Sequence, residues 1–244
     1  MKNPPRAYEN LEFLKSDHCR EVRLQLEHLH PEVVMQKQNI NSTIVLFGSA
    51  RIPSPEQAAK NPDSKGAALT PFYEEARKLA RIVSSTCQTN HECEYVVITG
   101  GGGGIMEAGN RGAKEVGCKS VALNITLPFE QHPNDYVDEE LCFCFHYFHM
   151  RKMHFLQRAK AICGFPGGFG TFDELFEVLT LIQTGKIEPM PVILFGSKHW
   201  KRLVDWDYLA ECELISPEDL NLITFCDTAE EAWEIIVEFY EEVS

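Results

Sequence analysis

Three features of the 244-residue chain predict an α/β fold with one doubly wound, mainly parallel sheet and helices on both faces. Short apolar runs alternate with longer amphipathic stretches from residue 43 onward. The runs are continuously apolar, as strands buried on both faces require. Three of them end in Gly48-Ser49, Gly100-Gly101-Gly102-Gly103-Gly104 and Gly167-Gly168-Phe169-Gly170. In doubly wound sheets ligands bind beyond the C-terminal ends of the strands, so these three turns are expected to meet at one site.

Residues 1–38 read as a helical extension in front of a domain spanning 39–244. Leu11, Leu14, Val22, Leu26 and Leu29 fall near one helical face, and Pro31 is expected to interrupt it. Thr43 to Phe47 is the first strand. Residues 52–69, rich in Pro, Ala, Lys and Asp, read as a surface loop. Phe72, Ala76, Leu79, Ala80 and Val83 then share one face of a helix. Tyr95 to Thr99 is the second strand; it runs through the five glycines into a helix ending near Glu115. Ser120 to Leu123 is a strand, 126–140 a polar loop with Pro128 and Pro133, Leu141 to Phe148 another strand, and Met150 to Lys160 a basic helix. Ala161 to Phe165 is a strand closed by Pro166, which lacks an N–H. The helix after it carries Leu175, Phe176, Val178, Leu179 and Ile182, and Thr171 with Glu174 has the spacing of a capping box at its start. Pro191 to Phe195, a helix around Trp200 to Glu211, and Leu222 to Cys226 follow. The last helix, Thr228 to Tyr240, has Thr228 and Glu231 as its capping box.

Composition excludes several functions. Apolar residues make up 44% and charged residues 24%, the balance of a globular chain. A net charge of −13 argues against binding the nucleic-acid backbone, and any anionic ligand needs a local positive site. No run is long and apolar enough to span a membrane, and no apolar leader follows Met-Lys-Asn-Pro-Pro. The nine cysteines are an odd number, so reduced thiols in a cytoplasmic protein are expected.

Each chemical motif has a plain alternative. The five-glycine run does not fit a dinucleotide fingerprint, since G-x-G-x-x-G begun at Gly100 or Gly101 needs glycine at Ile105 or Met106. Asn124 ends the next strand where an NAD-binding chain carries an acid, and no P-loop pattern is present. A compact loop around a single phosphate is the reading that remains, against a bare tight turn. Cys142, Cys144 and His146 alternate on one strand face. The outer two are roughly 13 Å apart at about 3.3 Å per residue, too far for one zinc ion, so no metal is expected. Glu174 is either a capping-box partner or the carboxylate of a site. Arg151 and Lys152, after His149-Met150, are either a solvated helix face or the cations of one. Arg151 near a helix start opposes the dipole, which points to an anionic partner.

Pro166-Gly167-Gly168-Phe169-Gly170-Thr171-Phe172-Asp173-Glu174 matches the P-G-G-x-G-T-x-x-E signature of the LOG family, and Arg151-Lys152 matches its Arg-Lys pair. The chain thus resembles these cytokinin-activating phosphoribohydrolases, often mislabelled lysine decarboxylases, over roughly residues 42–240. The N-terminal extension, Gly104-Ile105-Met106-Glu107 and Phe165-Pro166-Gly167-Gly168-Phe169 are similar to the longer members of the family. No pyridoxal-phosphate framework is recognisable in support of decarboxylation.

The resemblance implies a Rossmann-like fold, a homodimer or higher oligomer with its site near a subunit interface, and no cofactor. It implies hydrolysis of the N-glycosidic bond of a nucleoside 5′-monophosphate, AMP or an N6-modified AMP, to free base and ribose 5-phosphate. Glu174 is then the carboxylate near C1′ and Arg151 the cation near the leaving base. Gly48, Ser49, Gly101, Gly102, Gly103, Gly104, Gly167, Gly168, Gly170 and Thr171 are the candidates to hold nucleotide and phosphate, with Met150 and Lys152 beside them. Glu177, near Asp173 on the same helix, either reaches ribose hydroxyls or is solvated. The alternatives are a nucleotide sensor without hydrolysis and a carrier of a phosphorylated cofactor, like the molybdenum-cofactor carriers.

Overall fold

The computed structural model describes residues 4–88, 93–127 and 132–243. In chain order, a short helix α1 (Leu11–Lys15) and α2 (Arg20–Lys37) precede β1 (Thr43–Phe47). Next come α3 (Pro55–Lys60), α4 (Thr70–Cys87), β2 (Val96–Thr99), α5 (Ile105–Glu115), β3 (Ser120–Ile125), β4 (Cys142–Phe145) and α6 (Phe148–Leu156). The second half holds β5 (Ala159–Gly164), α7 (Phe169–Gln183), β6 (Val192–Phe195), α8 (Ser197–Leu203), α9 (Trp206–Glu211), β7 (Ile223–Cys226) and α10 (Ala229–Val243). Among the described residues seven strands form one parallel sheet in the order β4-β3-β2-β1-β5-β6-β7. The chain winds outward from β1 through β4, returns to β1's other edge as β5, and winds out again. The switch between β1 and β5 opens the crevice where such folds bind ligands.

Alternate strand residues feed two cores. Val45, Phe47, Ile98, Leu123 and Ile162 pack with Met35 of α2, Phe155 of α6, Leu175 and Val178 of α7, and Trp200 of α8. Ile44, Leu46, Val97, Ala161 and Cys163 face the other way, onto Leu79 and Val83 of α4, Ile105 and Ala108 of α5, and Ala232 and Ile236 of α10. This two-sided burial is why the strands read as unbroken apolar runs.

Five local expectations need correction. Pro31 does not interrupt the first long helix; α2 runs through it. Proline removes the donor for the carbonyl one turn earlier, that of Glu27. His154 Nε2 of α6 supplies a replacement at 3.0 Å, and since a carbonyl only accepts, Nε2 carries the proton. The expected loop over 52–69 holds α3, capped by Ser54 and Gln57, with Ile52 buried beneath it. The strand expected over 141–148 stops at Phe145, because the Glu27 carboxylate takes the N–H groups of His146 (2.8 Å) and Tyr147 (3.2 Å) and caps α6 there. The basic helix correspondingly ends at Leu156, and Lys160 belongs to β5. The helix expected around 200–211 is two helices, split where Val204 is extended and Asp205 caps α9 by accepting from Tyr208 N at 3.1 Å. Thr228 and Glu231 do form their reciprocal cap. Of the polar loop over 126–140, Pro128 lies outside the described residues.

Candidate active site

The three glycine turns are laced together where the strands end. Phe165 N donates to Phe47 O at 2.7 Å, Ser49 N to Pro166 O at 3.0 Å, and Ile105 N to Ser49 O at 3.2 Å. Gly104 turns at φ 62° as the last residue before α5, and a Cβ there would overlap the Ser49 carbonyl, so the lacing depends on glycine. Beside these turns lies a cavity of about 320 Å³. Gly48, Ser49, Gly100, Gly168, Gly170 and Thr171 line it with Arg151 and Glu174. A groove of about 1020 Å³ runs on the far side of α6 past His149, Met153 and Tyr240, and contains neither Arg151 nor Glu174. Volume alone therefore does not mark the chemistry; the convergence of charged and backbone groups in the smaller cavity does.

Arg151 reaches the cavity from the first turn of α6. Its Nε donates to Leu123 O at 2.7 Å, its Cζ lies 5.2 Å from the Phe155 ring centroid, and Nη2 would stand 2.5 Å from a Cβ at position 100. Gly100 thus provides the space that the guanidinium fills. Burial pulls the Arg151 pKa down and the nearby Glu174 charge pulls it up. An arginine stays cationic under such pressure.

Glu174 enters from the first turns of α7 and is buried, 9% exposed. Burial raises its pKa to about 7, against the opposing charges of Lys152 and Arg151; Glu177 and Asp173 add to the rise. It does not serve in a capping box. The helix starts at Phe169 with Gly168 before it, three residues earlier than a Thr171 cap requires, and Thr171 N donates to Gly168 O at 3.0 Å. Thr171 is buried, set against Gly167, and lines the cavity.

Other candidates fall outside the cavity wall. Lys152 does not line the cavity; it bridges Asp173, which does, at 2.9 Å and Glu177 at 2.8 Å. That pairing locks α6 to α7 one residue from Arg151 and from Glu174, and it occupies Glu177. Met150 packs on the core instead. Gly101, Gly102, Gly103 and Gly104 form the turn behind the cavity, with only Gly103 half-exposed among them. Cys142 and Cys144 stand on β4, away from the cavity, and among the described residues no group of His, Cys, Asp and Glu is placed to hold a metal.

Sequence reasoning missed several members. Met106, Ile125, Phe148 and Phe155 make one wall apolar, and Arg51 stands at the rim. No local pattern distinguishes these from ordinary core and surface residues; only Arg51, following Gly48-Ser49 at a strand end, had a positional signal.

Comparison with known proteins supplies the context. Residues 106–236 match the profile of the family described as "Possible lysine decarboxylase". The probable cytokinin riboside 5′-monophosphate phosphoribohydrolase LOGL3 of Oryza sativa subsp. japonica is 33% identical over 93 residues, 37% of this chain and 44% of that protein. The cytokinin riboside 5′-monophosphate phosphoribohydrolase LOG3 of Arabidopsis thaliana is 33% identical over 93 residues, 37% of this chain and 43% of that protein. The matched stretch thus spans less than half the length of these relatives. Among solved structures, the Moco carrier protein from Chlamydomonas reinhardtii aligns with TM-score 0.52 at 16% identity, over 83% of this chain and 99% of that one. The molybdenum cofactor binding protein from Rippkaea orientalis aligns with TM-score 0.51 at 18% identity, over 82% and 98%. These two likenesses show a shared fold. No described helix is long and apolar enough to cross a membrane. The family profile covers more than half of the chain and takes in both Arg151-Lys152 and the glycine turn with Glu174, and on that match the chain belongs to the LOG family, the possible lysine decarboxylases.

Proposed function

We propose that the chain hydrolyses the N-glycosidic bond of a nucleoside 5′-monophosphate, AMP or an N6-modified AMP, releasing the base and ribose 5-phosphate. The observation that carries this reading is a buried carboxyl tuned to about 7, Glu174, sharing one cavity with the pinned guanidinium of Arg151 under glycine-rich turns. Relatives in the same family named as cytokinin riboside 5′-monophosphate phosphoribohydrolases support the reaction class.

The C1′–N bond breaks with its electron pair leaving on the base, and positive charge gathers at C1′ and the ring oxygen. The Glu174 carboxylate opposes that charge and takes a proton from the water that attacks C1′. Arg151 faces the charge accumulating on the departing base. The glycine turns hold the 5′-phosphate, so binding energy remote from C1′ aligns the sugar with Glu174. Because the ionised carboxylate is the working form, activity of the free enzyme rises with pH through about 7.

Free-base release from a panel of nucleoside 5′-monophosphates, followed by chromatography, tests the proposal. Wild type releases base, and Glu174→Gln loses about 10²–10⁴-fold in turnover, the range for a lost general base. Unchanged turnover in the variant removes Glu174 from the mechanism. Nucleotide binding with no release from any substrate replaces the hydrolase with a sensor or a carrier.

A further inference from the structure

The polar loop before β4 holds a residue that no motif singles out. Asn134 is half-buried against the back of the Gly100–Gly104 turn. Its backbone N–H donates to Gly101 O at 2.9 Å. Its side-chain Nδ2 donates to Gly101 O at 3.2 Å, Gly102 O at 3.0 Å and Asn110 Oδ1 at 2.9 Å. Its Oδ1 accepts from Tyr136 N at 3.1 Å, which sets the side chain as an Asx turn does. Behind it a buried chain of polar groups continues. Thr99 Oγ1 donates to Asn110 Oδ1 at 2.8 Å and accepts from Gly101 N at 3.0 Å, while Asn110 Nδ2 donates to Ser120 Oγ at 3.0 Å. Since carbonyls only accept, the amide group of Asn134 that faces the turn is its NH₂ end.

The geometry of the peptide plane turns this clamp into a statement about the opposite side. In a trans peptide the C=O and the following N–H point in opposite directions. With the carbonyls of Gly101 and Gly102 drawn toward Asn134, the N–H groups of Gly102 and Gly103 point away from it. Among the described residues no backbone carbonyl accepts from either. Gly103 lies next to Ala50, which lines the cavity. Successive unpaired backbone N–H groups form a nest for an anion. An unrestrained run of five glycines samples many conformations and presents carbonyls as readily as N–H groups.

We propose that Asn134 is a positioning residue for anion recognition: it draws back the Gly101 and Gly102 carbonyls so that the N–H groups of Gly102 and Gly103 receive a phosphate monoester. The inference rests on the reading that the glycine turns hold a 5′-phosphate, and it assigns that task to a residue outside both family motifs.

Calorimetric titration of the full chain with ribose 5-phosphate tests it, using wild type, Asn134→Ala and Asn134→Asp. The aspartate keeps the side-chain shape and the acceptor for Tyr136 but replaces the donors with an oxygen facing two carbonyls. It carries the test on its own if the alanine variant does not fold. The expected result is a Kd for ribose 5-phosphate raised at least about tenfold in the variants, the order expected for losing one or two hydrogen bonds to the anion, with unchanged stoichiometry. A merely structural role lowers the stoichiometry through a misfolded fraction and leaves the Kd of folded molecules as in wild type; that result overturns the proposal and leaves the phosphate reading intact. Wild type that fails to bind ribose 5-phosphate overturns the phosphate reading, and the clamp's purpose with it.

Discussion

The two glycine turns that frame the cavity, Gly100–Gly104 after β2 and Gly167–Gly170 after β5, share composition and position but not surroundings. The first is mostly buried, and protein groups account for its conformation. Thr99 and Asn134 hold its backbone, Arg151 fills the space beside Gly100, and Ser49 leaves no room for a side chain at Gly104. The second opens to solvent. Gly168 and Gly170 have nothing within 4 Å of a hypothetical Cβ, and Phe169 between them is 96% exposed. Glycine therefore answers two needs in one site. In the first turn, and at Gly167 where a Cβ would meet Thr171, the fold itself requires it; at Gly168 and Gly170 the protein by itself does not, which leaves a ligand or a partner surface to explain the choice there.

Substitution breaks or sharpens this contrast. The largest expected effect is at the packed turn. Gly104→Ala forces a Cβ into the Ser49 carbonyl at φ 62° and should cost about 2–4 kcal/mol, read by denaturant unfolding. A loss below about 0.5 kcal/mol would erase the distinction between the turns.

The next effect comes from the carboxyl behind the open turn. Glu174 has a folded pKa of about 7 against an ordinary 4.5. Between those values the folded protein keeps a proton that the unfolded chain has lost, so its contribution to stability falls as pH rises through that window and levels off above it. Glu174→Gln has no such proton to lose. Its stability relative to wild type should therefore rise from pH 5 to pH 8 by on the order of 2–3 kcal/mol. A pH-independent difference would show that the carboxyl is not held in the protonated form by burial.

The smallest effect belongs to the open turn. Gly168→Ala and Gly170→Ala should change stability by no more than about 0.5–1 kcal/mol, with Gly170→Ala favoured because it lies in the first turn of α7. Both should weaken ribose 5-phosphate binding if a ligand is what requires glycine there. Full retention of binding would assign the open turn to a partner surface instead.

Much of this architecture was legible in the residues. Continuous apolar runs marked the strands because both faces of the sheet are covered. Turns rich in glycine marked the strand ends, and one signature stretch located Glu174. What stayed hidden depends on contacts between distant segments. Glu27 caps α6 from a helix more than a hundred residues earlier in the chain, and His154 repairs the carbonyl that Pro31 orphans. Asn134 carried no local signal, since its partners Gly101, Gly102 and Asn110 lie at separations of 33, 32 and 24 residues. The Thr171–Glu174 spacing fitted a capping box, but the helix starts before Thr171, at Phe169, and turns both side chains inward. Lys152 looked equivalent to its neighbour Arg151, yet successive helix positions point about 100° apart, so one enters the cavity and the other meets Asp173 and Glu177.

By itself, then, the sequence determined the order of elements, the parallel sheet, the family and the stretch that bears the carboxylate. These follow from local periodicity and from short motifs whose backbone demands only glycine and proline meet. Tertiary structure alone decided which charged groups share one cavity, what shifts the Glu174 proton, and what holds the glycine turn behind them. Burial and pairing across the sheet set those properties, and neither is encoded in any one segment.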